Sequence, residues 1–173
     1  MSKYVNFDLI IRETDRLYLV KPNELNITNF YNSINDIDSY FRGLCTYNKN
    51  MESILTELKY WDKLSYEEEQ HFIIRAKETN EYIGHIWYAN GNSIGYGICE
   101  RERRKGYCLE AVLDVVDYMF DELENSCILL SSYSWNTDSI NVAKKAGFLE
   151  LHRYMYVDNS KRFNEVIEFI KFR

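Results

Sequence analysis

The sequence lacks long apolar runs and is poor in proline, which narrows the class of protein. None of its apolar stretches reaches the roughly 18 residues that a membrane-spanning helix needs. The N-terminus has charges within and just after a short apolar patch and no small-residue cleavage site, so we expect no signal peptide. One proline and seven glycines argue against long disordered tails. We therefore expect a single cytoplasmic domain over residues 1–173 that contacts no membrane.

Cysteine and histidine are few and scattered. The four cysteines form no Cys-x-x-Cys pair, and the three histidines share no ligand spacing with them. Zinc sites and disulfide frameworks both depend on such spacing, so we expect reduced thiols and no bound metal. These residues are Cys45, Cys99, Cys108 and Cys127, and His71, His85 and His152.

The formal net charge of −6 weighs against a nucleic-acid partner, because binding to phosphates requires a positive surface. One basic run, "RERRK" at residues 101–105, precedes Tyr107 and keeps a nucleic-acid-binding protein as an alternative class. The small size of that run and the acidic balance count against this class. The same acidic balance leaves room for a cationic substrate.

Apolar periodicity in the first half of the chain predicts strands around two helices. The run "RLYLVKP" alternates apolar and polar residues and stops at Pro22, which is typical of a strand. Residues 23 to about 64 show mixed helical spacing, which predicts two short helices. Three β-rich runs follow, "HFIIRA", "YIGHIWYA" and "SIGYGICE", and the turns between them predict an antiparallel meander.

The second half predicts a strand, a crossover helix and another strand. Apolar residues recur every three or four positions after the charged loop and define one helical face: Leu109, Val112, Leu113, Val116, Met119, Phe120 and Leu123. The short apolar run "CILLSSY" is expected to be a buried strand parallel to "SIGYGICE", with the helix packed across the pair. Asn136 and Gly147 stand where a second helix should begin and end, and two more strands complete the chain.

The charged loop ends at Gly106, directly in front of the long helix. A glycine there lets backbone N–H groups approach a ligand, and the helix dipole adds partial positive charge. Four cationic side chains add full positive charges and make the loop a candidate pyrophosphate site: Arg101, Arg103, Arg104 and Lys105. The loop matches neither a Walker loop nor a dinucleotide-binding fingerprint.

Four motifs in order resemble the GCN5-related N-acetyltransferases. Arg103-x-x-Gly106-x-Cys108 is similar to the Q/R-x-x-G-x-G/A signature of that family, although Cys108 replaces the usual glycine or alanine. The segments "TDRLYLVKP", "YIGHIWY" with "SIGYGIC", and "NTDSINVAKKAGF" resemble its opening strand, central strands and late helix. They extend from about residue 14 to 148, and they look like the RimJ/RimL-like branch, which acetylates ribosomal-protein N-termini and small amines.

The resemblance implies an α/β fold of the acyl-CoA N-acyltransferase type, with a mixed, mostly antiparallel sheet and one splayed parallel pair. It also implies acetyl-CoA as co-substrate, with its pantetheine arm along the backbone of Ile98 and Cys99. The pyrophosphate is then expected at the loop and helix start, on Arg101, Arg103, Arg104, Lys105, Gly106, Tyr107 and Cys108. Asn136 would reach the pantetheine arm, and Lys145 would meet a phosphate.

The implied reaction is transfer of an acetyl group to a primary amine by direct attack in a ternary complex. Ala143 stands where many relatives have a tyrosine that protonates the leaving thiolate. Ser139 is our candidate for a hydrogen bond to that thiolate, and Tyr133 is the next candidate. Glu100, His85 and a water relay remain open as the general base.

Two classes of acceptor amine remain, a protein N-terminus and a small molecule. The acidic net charge of the chain favours an acceptor that is cationic. The acidic run at residues 67–69 could lie near the acceptor entrance or form a solvated face. The enzyme is expected as a monomer or homodimer. A catalytically silent CoA-binding or sensor module on the same fold is the alternative, because Ala143 and the lack of an evident base favour it.

Overall fold

The structure, a computed structural model, describes residues 8–34, 51–65, 67–89, 91–158 and 161–173. Within these ranges, four α-helices surround one eight-stranded sheet with the strand order β1-β2-β3-β4-β5-β6-β8-β7. The strands are β1 (Ile10–Glu13), β2 (Leu17–Val20), β3 (Gln70–Ala76), β4 (Tyr82–Ala89), β5 (Ser93–Ile98), β6 (Cys127–Tyr133), β7 (Leu149–Val157) and β8 (Phe163–Phe172). The helices are α1 (Glu24–Ile34), α2 (Met51–Trp61), α3 (Tyr107–Asp121) and α4 (Thr137–Lys145).

The N-terminal half forms an antiparallel sheet, as the alternating runs predict. Strands β2, β3, β4 and β5 pair in chain order, so the predicted meander is confirmed. Two helices precede it as expected, although residues 35–50 between them lie outside the described ranges. An additional strand, β1, pairs with β2. It was not predicted, because its sequence IIRE has two apolar residues followed by two charged ones and shows no alternation.

The two faces of the sheet carry different helices. Successive strand residues point to opposite faces, so His85 and Tyr88 of β4 mark the two sides. On one side, Phe30 of α1 lies 5.2 Å from His85 between ring centroids. On the other, Tyr118 of α3 lies 6.0 Å from Tyr88. The core is therefore divided into two layers by the sheet.

Helix α3 buries a face slightly rotated from the predicted one. The prediction included Leu113, but this side chain is 37% exposed. Ala111 and Val115 are completely buried and take its place in the contact with the sheet. Both alanine and valine are small enough to let the helix approach the strands closely, whereas the apolar pattern alone gave weight to the larger leucine. No helix in the described ranges is long and apolar enough to cross a bilayer.

Strands β5 and β6 form the predicted parallel pair, with α3 as the connection between them. In the described part of the chain one register pair joins them, Ser93 with Leu129. The strands diverge beyond that point, which opens the sheet at its centre.

The last two strands do not follow chain order. Strand β8 inserts between β6 and β7, so β7 forms the edge of the sheet. The sequence predicted both strands but not this order, because pairing of distant strands leaves no local signal. Every residue of β7 is exposed.

Candidate functional site

The gap between β5 and β6 widens into a cleft with a volume of about 700 Å³. This volume lies in the range of sites that enclose a small organic ligand. Residues at the start of α3 line the cleft, and so do aromatic residues of β4, β6 and β7. Strand β5, strand β6 and the first turns of α4 line its length.

One edge of the cleft consists of β5 backbone. The N–H of Cys99 donates to the carbonyl oxygen of Ile83 on β4 at 2.9 Å. Backbone groups alternate in direction along a strand, so those of Ile98 and Tyr96 face the gap. The Ile98 carbonyl indeed accepts a hydrogen bond from Nε of Arg103 at 3.0 Å. The predicted contact through Cys99 is not supported, because its N–H is used within the sheet and its side chain is 1% exposed.

The helix-terminal end of the cleft is built around Gly106. This residue is the N-cap of α3 with φ of +86°, a conformation that favours glycine. No side chain in the described ranges caps the helix here, and Gly106 lines the cleft, so the first N–H groups of α3 are available to a ligand. Arg104, Tyr107 and Cys108 line the same end. These donors fit a pyrophosphate group, because they combine open amides with positive charge.

The charged loop divides between the cleft and the protein surface. Arg103 and Arg104 line the cleft, as does Lys145 of α4. Arg101 instead forms an ion pair with Glu81 at 2.9 Å. Lys105 forms one with Glu102 at 3.0 Å.

Two glutamates of the same loop also differ in whether they line the cleft. Glu100, a predicted base, is exposed in a 3₁₀ turn and does not line the cleft. Glu102, which the sequence analysis did not select, is 8% exposed and does line it. The structure therefore brings Arg103 and Arg104 to the site but not Glu100, Arg101, Lys105 or Cys99.

The middle of the cleft contains Ser139, beside a tyrosine that the sequence analysis missed. Asn136 caps α4 by accepting from the backbone N–H of Ser139 at 3.4 Å, as predicted. The Tyr96 hydroxyl lies 3.1 Å from Oγ of Ser139 and donates to the Ser139 carbonyl oxygen at 3.2 Å. Burial, with a smaller contribution from the nearby Cys108 thiol, raises the pKa of Tyr96 far above its ordinary value. The phenol therefore stays protonated at neutral pH.

Two neighbouring positions complete the centre of the site. Burial raises the pKa of Cys108 to about 12, so its thiol is a neutral part of the cleft wall. Ala143 is completely buried and does not line the cleft. The position that carries a tyrosine in many relatives thus contributes only to the core here.

One part of the cleft lining is aromatic. It is lined by Trp87, Tyr133, Tyr154 and Tyr156 together with Val166. The Tyr133 ring stacks on Trp135 with centroids 5.3 Å apart. Burial is the main cause that raises the pKa of Tyr133, and the Asp158 carboxylate adds to it. Tyr133, our second candidate for the leaving group, thus lies among side chains suited to the acceptor.

The acidic run at residues 67–69 does not line the cleft. Glu68 accepts a hydrogen bond from Ser65, and Glu69 lies against His71 next to a separate small hollow. Of the two interpretations of this run, the position beside the acceptor entrance is therefore not supported. Within the described ranges, no three metal-binding side chains converge on one point.

Comparison with known proteins identifies the class that this fold and cleft define. The family described as "Acetyltransferase (GNAT) domain" matches residues 16–149. The chain belongs to this family. Among curated proteins, none matches it significantly.

Solved structures agree with that assignment at the level of fold. A GNAT-family acetyltransferase from Bacillus anthracis is 17% identical, with a TM-score of 0.78 over 92% of this chain and 96% of that chain. The ribosomal-protein-S5-alanine acetyltransferase from Vibrio fischeri is 17% identical, with a TM-score of 0.80 over 93% and 95%. Spermidine N-acetyltransferase from Vibrio cholerae, in complex with CoA and spermine, is 14% identical, with a TM-score of 0.79 over 92% and 96%.

Proposed function

We propose that the chain, as one domain over residues 1–173, is an acetyl-CoA-dependent N-acetyltransferase that acts on a primary amine by direct attack in a ternary complex. The observation that carries this proposal is the cleft between β5 and β6, whose lining combines amide donors at the start of α3 with aromatic rings. This combination suits a phosphorylated cofactor and a second, cationic substrate. The family match supports the same chemistry.

The helix-terminal end would hold the diphosphate of acetyl-CoA. Amides of the first α3 turn, together with Arg104 and Lys145, offer the hydrogen bonds and charge that a diphosphate requires. Arg103 orients the end of β5 through its bond to the Ile98 carbonyl. The backbone of Tyr96 and Ile98 faces the gap and can bond the pantetheine arm as an added strand would.

Acetyl-CoA supplies an acetyl group already activated as a thioester. The Ile98 N–H points into the cleft and is our proposed donor to the oxyanion, a role worth about 2.7–4 kcal/mol in well-formed sites. Ser139 is the proposed hydrogen-bond donor to the leaving sulfur. For this role the Tyr96 phenol directs its one proton to Oγ of Ser139 across the 3.1 Å contact, in place of the Ser139 carbonyl oxygen, and so leaves the serine proton for the sulfur.

The aromatic end of the cleft is the proposed acceptor site. Trp87, Tyr133 and Tyr154 present rings that can attract a cation by about 0.5–2 kcal/mol each. We therefore propose a cationic amine, such as a polyamine or a basic peptide N-terminus. With this acceptor, kcat/KM should fall as salt rises from about 0.05 to 0.5 M, because the net charge of the chain is −6. A best acceptor that is neutral or anionic would contradict the assignment.

Thermal melting with acetyl-CoA, followed by turnover on a panel of amines, tests the proposal. Acetyl-CoA at 100 times its Kd should stabilise the fold by about 2.7 kcal/mol. Arg104→Glu should abolish most of that effect, whereas Arg101→Glu, a matched change at a residue paired with Glu81, should retain it. Equal shifts in the two variants would place the diphosphate elsewhere.

The second candidate is a silent CoA-binding module, which the burial of Ala143 favours. Position 143 offers no acid to the cleft, and the acid must then come from another element. The Tyr96–Ser139 pair supplies one and weighs toward an enzyme. Binding of acetyl-CoA without turnover of any amine in the panel would establish the silent module.

A further inference from the structure

Arg16, the residue directly before β2, contacts three positions around Gly106. Its Nη1 donates to the Lys105 carbonyl oxygen at 2.9 Å, and its Nε donates to Oε2 of Glu110 at 2.6 Å. The guanidinium carbon lies 4.7 Å from the centroid of the Tyr107 ring. Gly106 and Tyr107 line the cleft, whereas Arg16 does not. One side chain outside the cleft therefore holds the residues on both sides of the glycine.

The bond to the Lys105 carbonyl fixes the direction of the next amide. The peptide bond between Lys105 and Gly106 is trans, so the Gly106 N–H is antiparallel to the carbonyl that Arg16 binds. This N–H points away from Arg16 and donates to no group in the part of the chain that the structure describes. The first amide of the proposed diphosphate site is thus held in one orientation and is available to a ligand.

Glu110, on the first turn of α3, anchors the arginine. Its carboxylate also accepts from the Thr14 hydroxyl at 2.5 Å and from the Arg16 backbone N–H at 2.8 Å. The Glu110 side chain is only 17% exposed. Isolated surface ion pairs contribute little, but here a planar guanidinium bonds a well-anchored carboxylate and covers an aromatic face. The segment before β2 is therefore tied to the start of α3 through one side chain.

The space and the charge beside Gly106 both depend on the arginine. A Cβ atom at position 106 would lie 3.2 Å from Nη2 of Arg16, so the guanidinium packs directly against the glycine. Glu110 places a negative charge within one turn of the helix start, where an anion is expected to bind. Arg16 offsets that charge, so the helix start remains favourable to a diphosphate.

We propose that Arg16 is a positioning residue for acetyl-CoA, which holds the Lys105–Gly106 peptide with its N–H free for the diphosphate and offsets the charge of Glu110. The inference rests on the proposed function. Arg16 acts through the loop and not by contact with the reacting atoms. Its effect should therefore be confined to the affinity for donors that carry a diphosphate.

The first test is Arg16→Gln, compared on two acetyl donors. S-acetylpantetheine has the same thioester and pantetheine arm as acetyl-CoA but no diphosphate. We expect the Kd for acetyl-CoA in calorimetry to rise about 10-fold or more, with kcat at saturating acetyl-CoA within about twofold of wild type. The kcat/KM for S-acetylpantetheine should stay within about twofold. Losses of equal size with both donors would indicate general damage to the fold and overturn the proposal.

The matched control is Arg12→Gln. Arg12 forms ion pairs with Asp114 at 2.7 Å and Glu122 at 3.2 Å, and lies 4.7 Å from the Tyr118 ring centroid. It therefore has the same kinds of partner on α3 as Arg16, but further along the helix from Gly106. Arg12→Gln should lose stability in urea unfolding and retain wild-type affinity for acetyl-CoA. Equal weakening of acetyl-CoA binding in Arg12→Gln and Arg16→Gln would overturn the positioning role.

Arg16→Lys separates orientation from charge, and it decides the matter if Arg16→Gln does not fold. Lysine retains the positive charge beside Glu110, but one ammonium cannot reproduce the planar fork that bonds Glu110 and the Lys105 carbonyl together. The variant should bind acetyl-CoA more weakly than wild type and use S-acetylpantetheine equally well. Full affinity for acetyl-CoA in Arg16→Lys would overturn the orientation by the guanidinium. A wild type that binds no acetyl-CoA would overturn the proposed function as well, whereas a wild type that binds it, with unaffected Arg16 variants, would overturn the positioning role alone.

Discussion

Removal of one oxygen atom from Tyr96 tests how the leaving thiolate is stabilised. Tyr96→Phe keeps the ring in the cleft wall and deletes the hydroxyl that lies 3.1 Å from Oγ of Ser139 and 3.2 Å from its carbonyl oxygen. The phenol pKa is raised far above that of a thiol, so the hydroxyl assists by hydrogen bonding and not by net loss of its proton. The variant therefore removes one defined hydrogen-bond donor.

The expected magnitudes differ between stability and turnover. Two hydrogen bonds between neutral groups contribute about 1 kcal/mol each, so the fold should lose about 1–2 kcal/mol. For a chain of this length that corresponds to a fall in Tm of about 2–8 °C. A hydrogen bond that supports a developing thiolate is worth about 1.5–3 kcal/mol, so kcat should fall by about 10- to 150-fold.

The assay is thiol release at saturating acetyl-CoA and amine, measured for Tyr96→Phe, Ser139→Ala and the double variant. Because the two hydroxyls act in series, the double variant should lose little more activity than either single variant. Tyr88→Phe is the control, since it removes a buried hydroxyl bonded to Gln70 on the same face of the next strand. Wild-type kcat in Tyr96→Phe, or losses that simply add in the double variant, would refute the coupling.

Two further predictions concern α3. Gly106→Ala should cost about 1–2 kcal/mol of stability, because φ is +86°, and should weaken acetyl-CoA binding in calorimetry. Gly91→Ala is the control, because Gly91 has φ of +77° in a turn with open space around it; it should cost similar stability and leave acetyl-CoA binding unchanged. Equal acetyl-CoA affinity in the two variants would contradict the diphosphate site. Burial raises the pKa of Glu110, but hydrogen bonds from Thr14 and Arg16 outweigh it and bring the pKa below the ordinary 4.5. Ionised Glu110 therefore stabilises the fold above pH 4.5 and loses this effect as the pH falls through its folded pKa. Glu110→Gln should cost about 1 kcal/mol in urea unfolding at pH 7, and the cost should decrease steadily as the pH is lowered below 4.5. A difference that stays constant over the acid range would exclude the linkage.

The elements that the sequence predicted correctly are those specified by local pattern. The meander of β3, β4 and β5 follows from alternating runs with short polar turns between them. Helix α4 follows from its Asn136 cap and from Gly147, which adopts φ of +85° after the helix. The position of β8 between β6 and β7 was not predictable in this way. It depends on contacts between strand residues that are 33 or more positions apart, for example Tyr133 with Val166, and no short window records them.

The candidate site shows the same division between local and distant information. Ser139 and Gly106 could be selected because each stands at a helix start, where a motif and a backbone requirement coincide. Arg101 could not be excluded from the phosphate site, because its partner Glu81 is 20 residues away and belongs to the β3–β4 turn region. Tyr96 was missed because a tyrosine in a strand usually packs at the edge of a core. The signal that could have identified Tyr96 is the glycine on either side of it in "IGYGI". These two glycines belong to the opposite face of β5 from Tyr96 and leave room beside the cleft. The large polar ring between them is then placed to reach α4.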